Sequence, residues 1–164
     1  MTHVARPMPR RLDSFTLASE AGNERPALDR VARSVAGLGL PAPRVDRLKT
    51  AVAEAIMNAI EHGNGNRPEI PVEVEVTQDG DQVIVAITDQ GGEAAGKAAA
   101  GGDAAINAAE PDLFKKLEGA EGPRGWGLFL IRNMVDAVHV MTDGQRHTIW
   151  LAMRTGGAAD AGHV

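Results

Sequence analysis

A chain of 164 residues suits one domain with a sizeable core, and its 17 Lys plus Arg against 22 Asp plus Glu leave a net charge of −5, no footprint for general nucleic-acid binding. Two Trp, three Phe and no Tyr offer little for base stacking, and the absence of cysteine excludes disulfides and thiolate metal sites. No apolar run has the character of a signal peptide or a membrane span, so the expected compartment is the cytoplasm, with no membrane partner.

Residues 1–12, with Pro7, Pro9 and an Arg pair, read as a disordered arm because they have little to bury. Ser14–Ser19 alternates as a short strand. Glu24-Arg25-Pro26 then opens a helical pattern that places Leu28, Val31, Val35 and Leu38 on one face and stops at Gly39. Leu40-Pro41-Ala42-Pro43 is a rigid connector into a long central helix, which ends at the turn Gly63-Asn64-Gly65-Asn66.

That central helix carries the chemistry. Val45, Leu48, Val52, Ala55, Ile56 and Ala59 recur at the three-and-four spacing of a core stripe, and Glu54, Asn58 and His62 form a polar strip beside it. A helix so patterned can pack on a sheet while presenting a carboxylate, able to take a proton, and an amide oxygen, a hard ligand suited to Mg²⁺. Taken alone, the strip reads as a solvated helix flank, and His62 as a helix-terminal His near the negative end of the dipole.

Val72–Thr77 and Val83–Thr88, separated by Gln78-Asp79-Gly80-Asp81, form an antiparallel hairpin whose second strand is the deeper. It runs into Asp89-Gln90-Gly91-Gly92, where Asp-x-Gly by itself is an ordinary turn. From Gly91 to Glu110, 14 of 20 residues are Ala or Gly, a composition that reads as a mobile flap. Pro111–Leu117 is a short helical anchor. Glu121-Gly122-Pro123-Arg124-Gly125-Trp126-Gly127 then leads as a glycine-rich loop into an amphipathic helix bearing Leu128, Phe129, Leu130, Ile131, Met134 and Val135. Such an entry exposes backbone N–H groups and the positive end of a helix dipole, a means of holding phosphates. Val138–Thr142 and Thr148–Met153, joined by Asp143-Gly144-Gln145-Arg146, are the last two strands, and residues 155–164 a flexible tail. The five His residues show no ligand spacing, so zinc is not expected.

Three features thus stand in a fixed order: a Glu-x-x-x-Asn helix, a strand ending in Asp-x-Gly, and Gly-x-Gly-Leu opening a helix after a low-complexity insertion. This order resembles the N, G1 and G2 boxes of the GHKL ATPase superfamily, which includes gyrase, heat-shock chaperone ATPases and sensor histidine kinases. Glu54-Ala55, Asn58-Ala59, Glu61-His62-Gly63 and the block PDLFKKLEGAEGPRGWGLFLIRNMVDAV are most similar to the small anti-sigma-factor serine kinases of the RsbW type. Where the family commonly has Asp-x-Gly-x-Gly, the second glycine here, Gly92, stands one place early.

The resemblance implies a histidine-kinase-like (Bergerat) fold over residues 13–154: an α/β, two-layer sandwich with a mixed, mainly antiparallel sheet of about five strands and helices on one face. It implies ATP and Mg²⁺ as cofactors, with Asn58 holding the metal against the phosphates and Glu54 acting as base toward an attacking hydroxyl. Asp89 would accept the adenine amine, with Gly91 giving the base room and Thr148 supporting it from the last strand. Gly125, Gly127 and Leu128 would lie at the phosphates under a lid of residues 93–124, with Arg124 or Lys97 reaching the γ-phosphate. The implied activity is serine/threonine phosphorylation of an anti-sigma-factor antagonist (a STAS-type protein) and sequestration of a sigma factor by a homodimer. Alternative readings are a non-catalytic nucleotide-binding partner-switching module, a detached histidine-kinase catalytic domain, and a regulatory ATPase that uses water as acceptor.

Overall fold

Valine and isoleucine at every second position of two segments joined by Asp-Gly form the centre of the protein. A computed structural model describes residues 8–91 and 122–156, with side chains of the second stretch described from position 127 onward. The strands are β1 (Arg10–Ala18), β2 (Pro71–Asp79), β3 (Gln82–Asp89), β4 (Ala137–Asp143) and β5 (Arg146–Arg154). The helices are α1 (Glu24–Val35), α2 (Ala42–Asn58) and α3 (Gly122–Met134).

The sheet order is β1-β2-β3-β5-β4. Its four pairings are all antiparallel, so the mixed sheet that was expected is, among the described strands, purely antiparallel. A helical crossover commonly leads to a parallel neighbour. Here α3 delivers the chain to the edge strand β4, and the β4–β5 hairpin then returns β5 antiparallel to β3.

Alternation sorts the sheet residues into two sets. Val72, Val74, Val76, Val83, Val85, Ile87, Ile149, Leu151 and Met153 are buried in one core with Val31, Val35, Leu48, Val52, Ile56 and Ile131 of the helices. The alternate set, including Glu73, Glu75, Ile84, Ala86, Trp150 and Ala152, is only half-buried. Each large apolar side chain in the core contributes about 1.5–3 kcal/mol by leaving water, which outweighs the modest cost of ordering it. On α2 the expected stripe is buried from Leu48 to Ala59, joined by Ala51, whereas Val45 is half-buried.

Part of the stretch expected as an arm is strand. Arg10–Leu12 belong to β1, because β2 is long enough to pair with them: Arg10 lies opposite Gln78 and Arg11 opposite Thr77, with a bulge at Leu12. Arg11 also pairs with Glu75 at 3.1 Å, and Arg10 donates to the Gln78 side chain at 3.1 Å. At the other end Thr155 is tied down, its N–H and hydroxyl both donating to the carbonyl of Asp81 at 2.7 and 2.9 Å.

Two ion pairs fix helices to strands. Arg30 of α1 grips Asp13 of β1 through Nε and Nη2 at 3.0 and 2.7 Å and lies over the Phe15 ring at 4.2 Å. That guanidinium, as hydrogen-bond donor first, holds the Asp13 carboxyl below the usual carboxylate range. Arg44, buried in the first turn of α2, reaches Asp136 at 2.7 Å, and the same carboxylate oxygen accepts the N–H of Arg154 at 2.7 Å. The N-terminal end of α2 is thereby anchored to the β4–β5 ladder, while its C-terminal end lies by the functional residues.

Candidate functional site

Helix α2 continues past Asn58 as a wider π-helical turn, Ala59–Gly63, closed by the N–H of Asn64 on the carbonyl of Ala59 at 2.8 Å. Single π turns often occur at functional sites. Gly65, at φ 61°, then reverses the chain in a conformation that suits glycine. Glu54 and Asn58 are half-buried and share a face, whereas His62 is exposed.

Gly127 lies against that face. A Cβ on Gly127 would stand 2.9 Å from Asn58 Nδ2 and 3.3 Å from Glu54 Oε2, so the absence of a side chain is what lets α3 reach the polar ends of both residues. Three of the positions singled out in the sequence, Glu54, Asn58 and Gly127, are thus brought together. Gly127 is reached differently from the expectation, however. Gly122–Met134 is helical throughout, so Gly125 and Gly127 lie within α3 instead of in a loop before it. Pro123 at the second helical position is compatible with this, since no intrahelical N–H bond is forfeited there, and packing of α3 on α2 outweighs the poor helix propensity of the glycines. Arg124 and Gly125 occupy the start of α3, and Leu128 packs partly buried against the core. The flap beyond Gly91, the anchor at 111–117 and residues 93–121 of the expected lid lie outside the described residues.

A second group forms where β3 ends. Asp89 is buried, and its Oδ1 accepts the N–H of the buried Gly91 at 2.9 Å. Gly63 of the π turn passes directly behind the carboxyl: a Cβ there would meet Cγ at 2.3 Å and both oxygens at 2.6 Å. Asn64, fully buried, accepts the N–H of Gln90 at 2.8 Å through Oδ1. Its Nδ2 faces the Ser19 hydroxyl at 2.9 Å and the carbonyls of Pro71 and Ile70 at 3.2 and 3.3 Å. The end of α2 and the end of β3 are therefore joined by both close approach and hydrogen bonds.

Thr148 lies one position from the strand partner of Asp89. The β3–β5 register sets Thr148 opposite Thr88 and His147 opposite Asp89. The Thr148 and Thr88 hydroxyls hydrogen-bond to each other at 2.8 Å, and Nδ1 of His147 lies 3.4 Å from Asp89 Oδ2. Strand residues alternate between faces, so a shift of one position in pairing exchanges which neighbour meets the carboxylate. Asn64, Gly63 and His147 are the site-forming residues that sequence reasoning missed. The asparagine and glycine stood in a visible turn signal, but their second role depends on β3 arriving beside them.

The end of β3 thus meets the π turn that continues α2, and α3 packs on the Glu54/Asn58 face of the same helix. The profile of the histidine kinase-like ATPase domain matches residues 17–153, and the chain belongs to that family. Among curated proteins it is similar to the anti-sigma F factor of Clostridium beijerinckii, 40% identical over 78 residues that span 48% of this chain and 54% of that protein. The match thus spans about half the length of that relative. It is also similar to the anti-sigma F factor of Oceanobacillus iheyensis, 29% identical over 135 residues, 82% of this chain and 86% of that one.

Among solved structures, it resembles the RsbU and RsbW domains of a Mycobacterium tuberculosis protein with a TM-score of 0.58 at 18% identity, over 90% of this chain and 32% of the other. It resembles the SiaB–SiaC complex of Pseudomonas aeruginosa with a TM-score of 0.58 at 13% identity, over 88% and 90% of the two chains. At such identities these structures bear on the fold alone. The RsbW-type resemblance read from the motifs, and the two-layer fold it implied, are both met. Among the described residues no helix is long and apolar enough to cross a membrane.

Proposed function

We propose that this chain is an ATP-dependent serine/threonine protein kinase that acts as an anti-sigma factor, phosphorylating an antagonist protein and sequestering a sigma factor. The observation that carries the reading is the approach of Gly127 to Asn58 and Glu54, which joins segments far apart in sequence at one polar spot. Membership of an ATPase family and the likeness to two anti-sigma F factors support it.

The residues present fit the groups the family implies. An ionised carboxylate has about four acceptor sites. Asp89 commits one to Gly91 and faces His147 with another, which leaves capacity for an exocyclic amine. Mg²⁺ prefers oxygen ligands and is usually held by one or two protein groups together with phosphates, so Asn58 suffices as the protein's donor. When bound, the cation neutralises phosphate charge.

In this reading Glu54, beside Asn58, draws the proton from the antagonist's serine or threonine hydroxyl while the hydroxyl oxygen bonds to the terminal phosphorus, whose bond to the bridging oxygen breaks so that ADP leaves. Positioning and charge neutralisation dominate such transfers. The backbone of α3 around Gly125 and Gly127 lines the phosphate end, and Asp89 with Gly91 holds adenine. Arg124, at the start of α3, and Leu128 complete the proposed site, and a homodimer is the proposed assembly.

Incubation with labelled ATP, Mg²⁺ and candidate antagonists tests the proposal. Acid-stable label on a serine or threonine of the antagonist is expected, lost in Glu54→Gln with ATP affinity largely kept. ATP binding with no transfer to any antagonist would favour the non-catalytic partner-switching module, and acid-labile label would favour a histidine-kinase catalytic domain.

A further inference from the structure

The Asp89 carboxylate is held from three directions. Gly91 N–H occupies Oδ1 at 2.9 Å, the backbone of Gly63 blocks the rear, and Nδ1 of His147 faces Oδ2 at 3.4 Å. His147 is itself mostly buried, with 16% of its side chain exposed, and it stands directly across the ladder from Asp89. The final torsion of an aspartate is broad and soft, so a carboxylate tied at one oxygen alone can still swing. A second tie stops it.

We infer that His147 is a positioning and specificity-determining residue for the nucleotide base: by donating Nδ1–H to Asp89 Oδ2 it holds the carboxylate in the orientation that receives an exocyclic amine. The inference rests on the reading of Asp89 as the adenine acceptor and adds to it the residue that sets base choice. The neutral Nδ1–H tautomer and the imidazolium both supply the donor. An amine-bearing purine meets the acceptor edge of Asp89 as a donor. A 6-oxo purine presents an acceptor to an acceptor, and a buried carboxylate then loses a partner without gaining one. Discrimination between ATP and inosine triphosphate therefore gauges how firmly Asp89 is held. A swinging carboxylate discriminates less.

Binding of ATP and of inosine triphosphate to the full chain, to His147→Ala and to His147→Asn tests this, with thermal unfolding as the check on folding. His147→Ala is expected to bind ATP about 3- to 10-fold more weakly, the scale of one hydrogen bond, with inosine triphosphate affinity unchanged. His147→Asn, which retains an N–H donor, is expected to recover part of the discrimination. An equal loss for both nucleotides, or none for either, overturns the role of His147 while leaving the adenine site standing. Failure of the unaltered chain to bind ATP overturns the adenine reading and this inference with it.

Discussion

The carboxyl group of Asp89 occupies the space that a side chain at position 63 would need: a Cβ on Gly63 would lie 2.3 Å from Cγ of Asp89. Asp89 is buried and its side chain is short, so neither partner can yield without moving backbone. Gly63→Ala should therefore destabilise the protein by about 1–3 kcal/mol, the usual penalty for overpacking. It should also weaken ATP binding more than an equally destabilising change remote from the site, such as Val35→Ala. Paired thermal unfolding and nucleotide titrations of the two variants give the comparison.

Gly127→Ala sets two effects against each other. Alanine gains about 1 kcal/mol of helix propensity over glycine. Its Cβ meets the Asn58 amide at 2.9 Å and the Glu54 carboxylate at 3.3 Å, both ends of side chains that can move. The expected result is a change in stability within about 1 kcal/mol, because these terms offset. Phosphoryl transfer should nevertheless fall by about tenfold or more, since displacement of reacting groups by a fraction of an ångström is costly. Single-turnover transfer measured beside thermal unfolding separates the two; unchanged transfer would show that the close approach has no part in the chemistry.

Asn64→Ala removes a fully buried amide that bridges Gln90, Ser19, Ile70 and Pro71. Stranding several buried backbone groups should cost about 2–4 kcal/mol in denaturant unfolding. Asn64→Asp should be no better, because a carboxylate cannot donate to the carbonyls of Ile70 and Pro71.

Asp13 contributes a pH-dependent increment. Its folded pKa is lowered chiefly by the hydrogen bond from Arg30. The unfolded value is about 3.9. Stability from this pair is therefore present above the unfolded value and is lost as pH falls through the folded one. Asp13→Ala should cost about 0.5–1 kcal/mol at pH 7, the scale of a partly exposed ion pair, and about nothing at a pH below both values. Urea unfolding of both proteins at the two pH values checks the sign.

Features that depend on neighbours in sequence were legible without coordinates. The two hairpins lie within two residues of where alternation and Asp-Gly turns place them, and the Glu54/Asn58 strip does share a face of α2. The entry to α3 was misread as a loop, because Gly122, Pro123, Gly125 and Gly127 all argue against a helix by propensity. Contact with α2 reverses that balance. The pairing of His147 with Asp89 was not legible, since the register of β5 on β3 depends on how the α3 crossover and the β4–β5 hairpin set the strand down.

By itself the chain determined its elements, the order of its three motifs and the family they resemble, since periodicity, turn chemistry and spacing are local properties. Only the folded structure decided which residues meet: Gly63 with Asp89, Gly127 with Asn58, His147 with Asp89. Such contacts join segments distant in sequence, and strand register and helix packing choose among partners that differ by a single position.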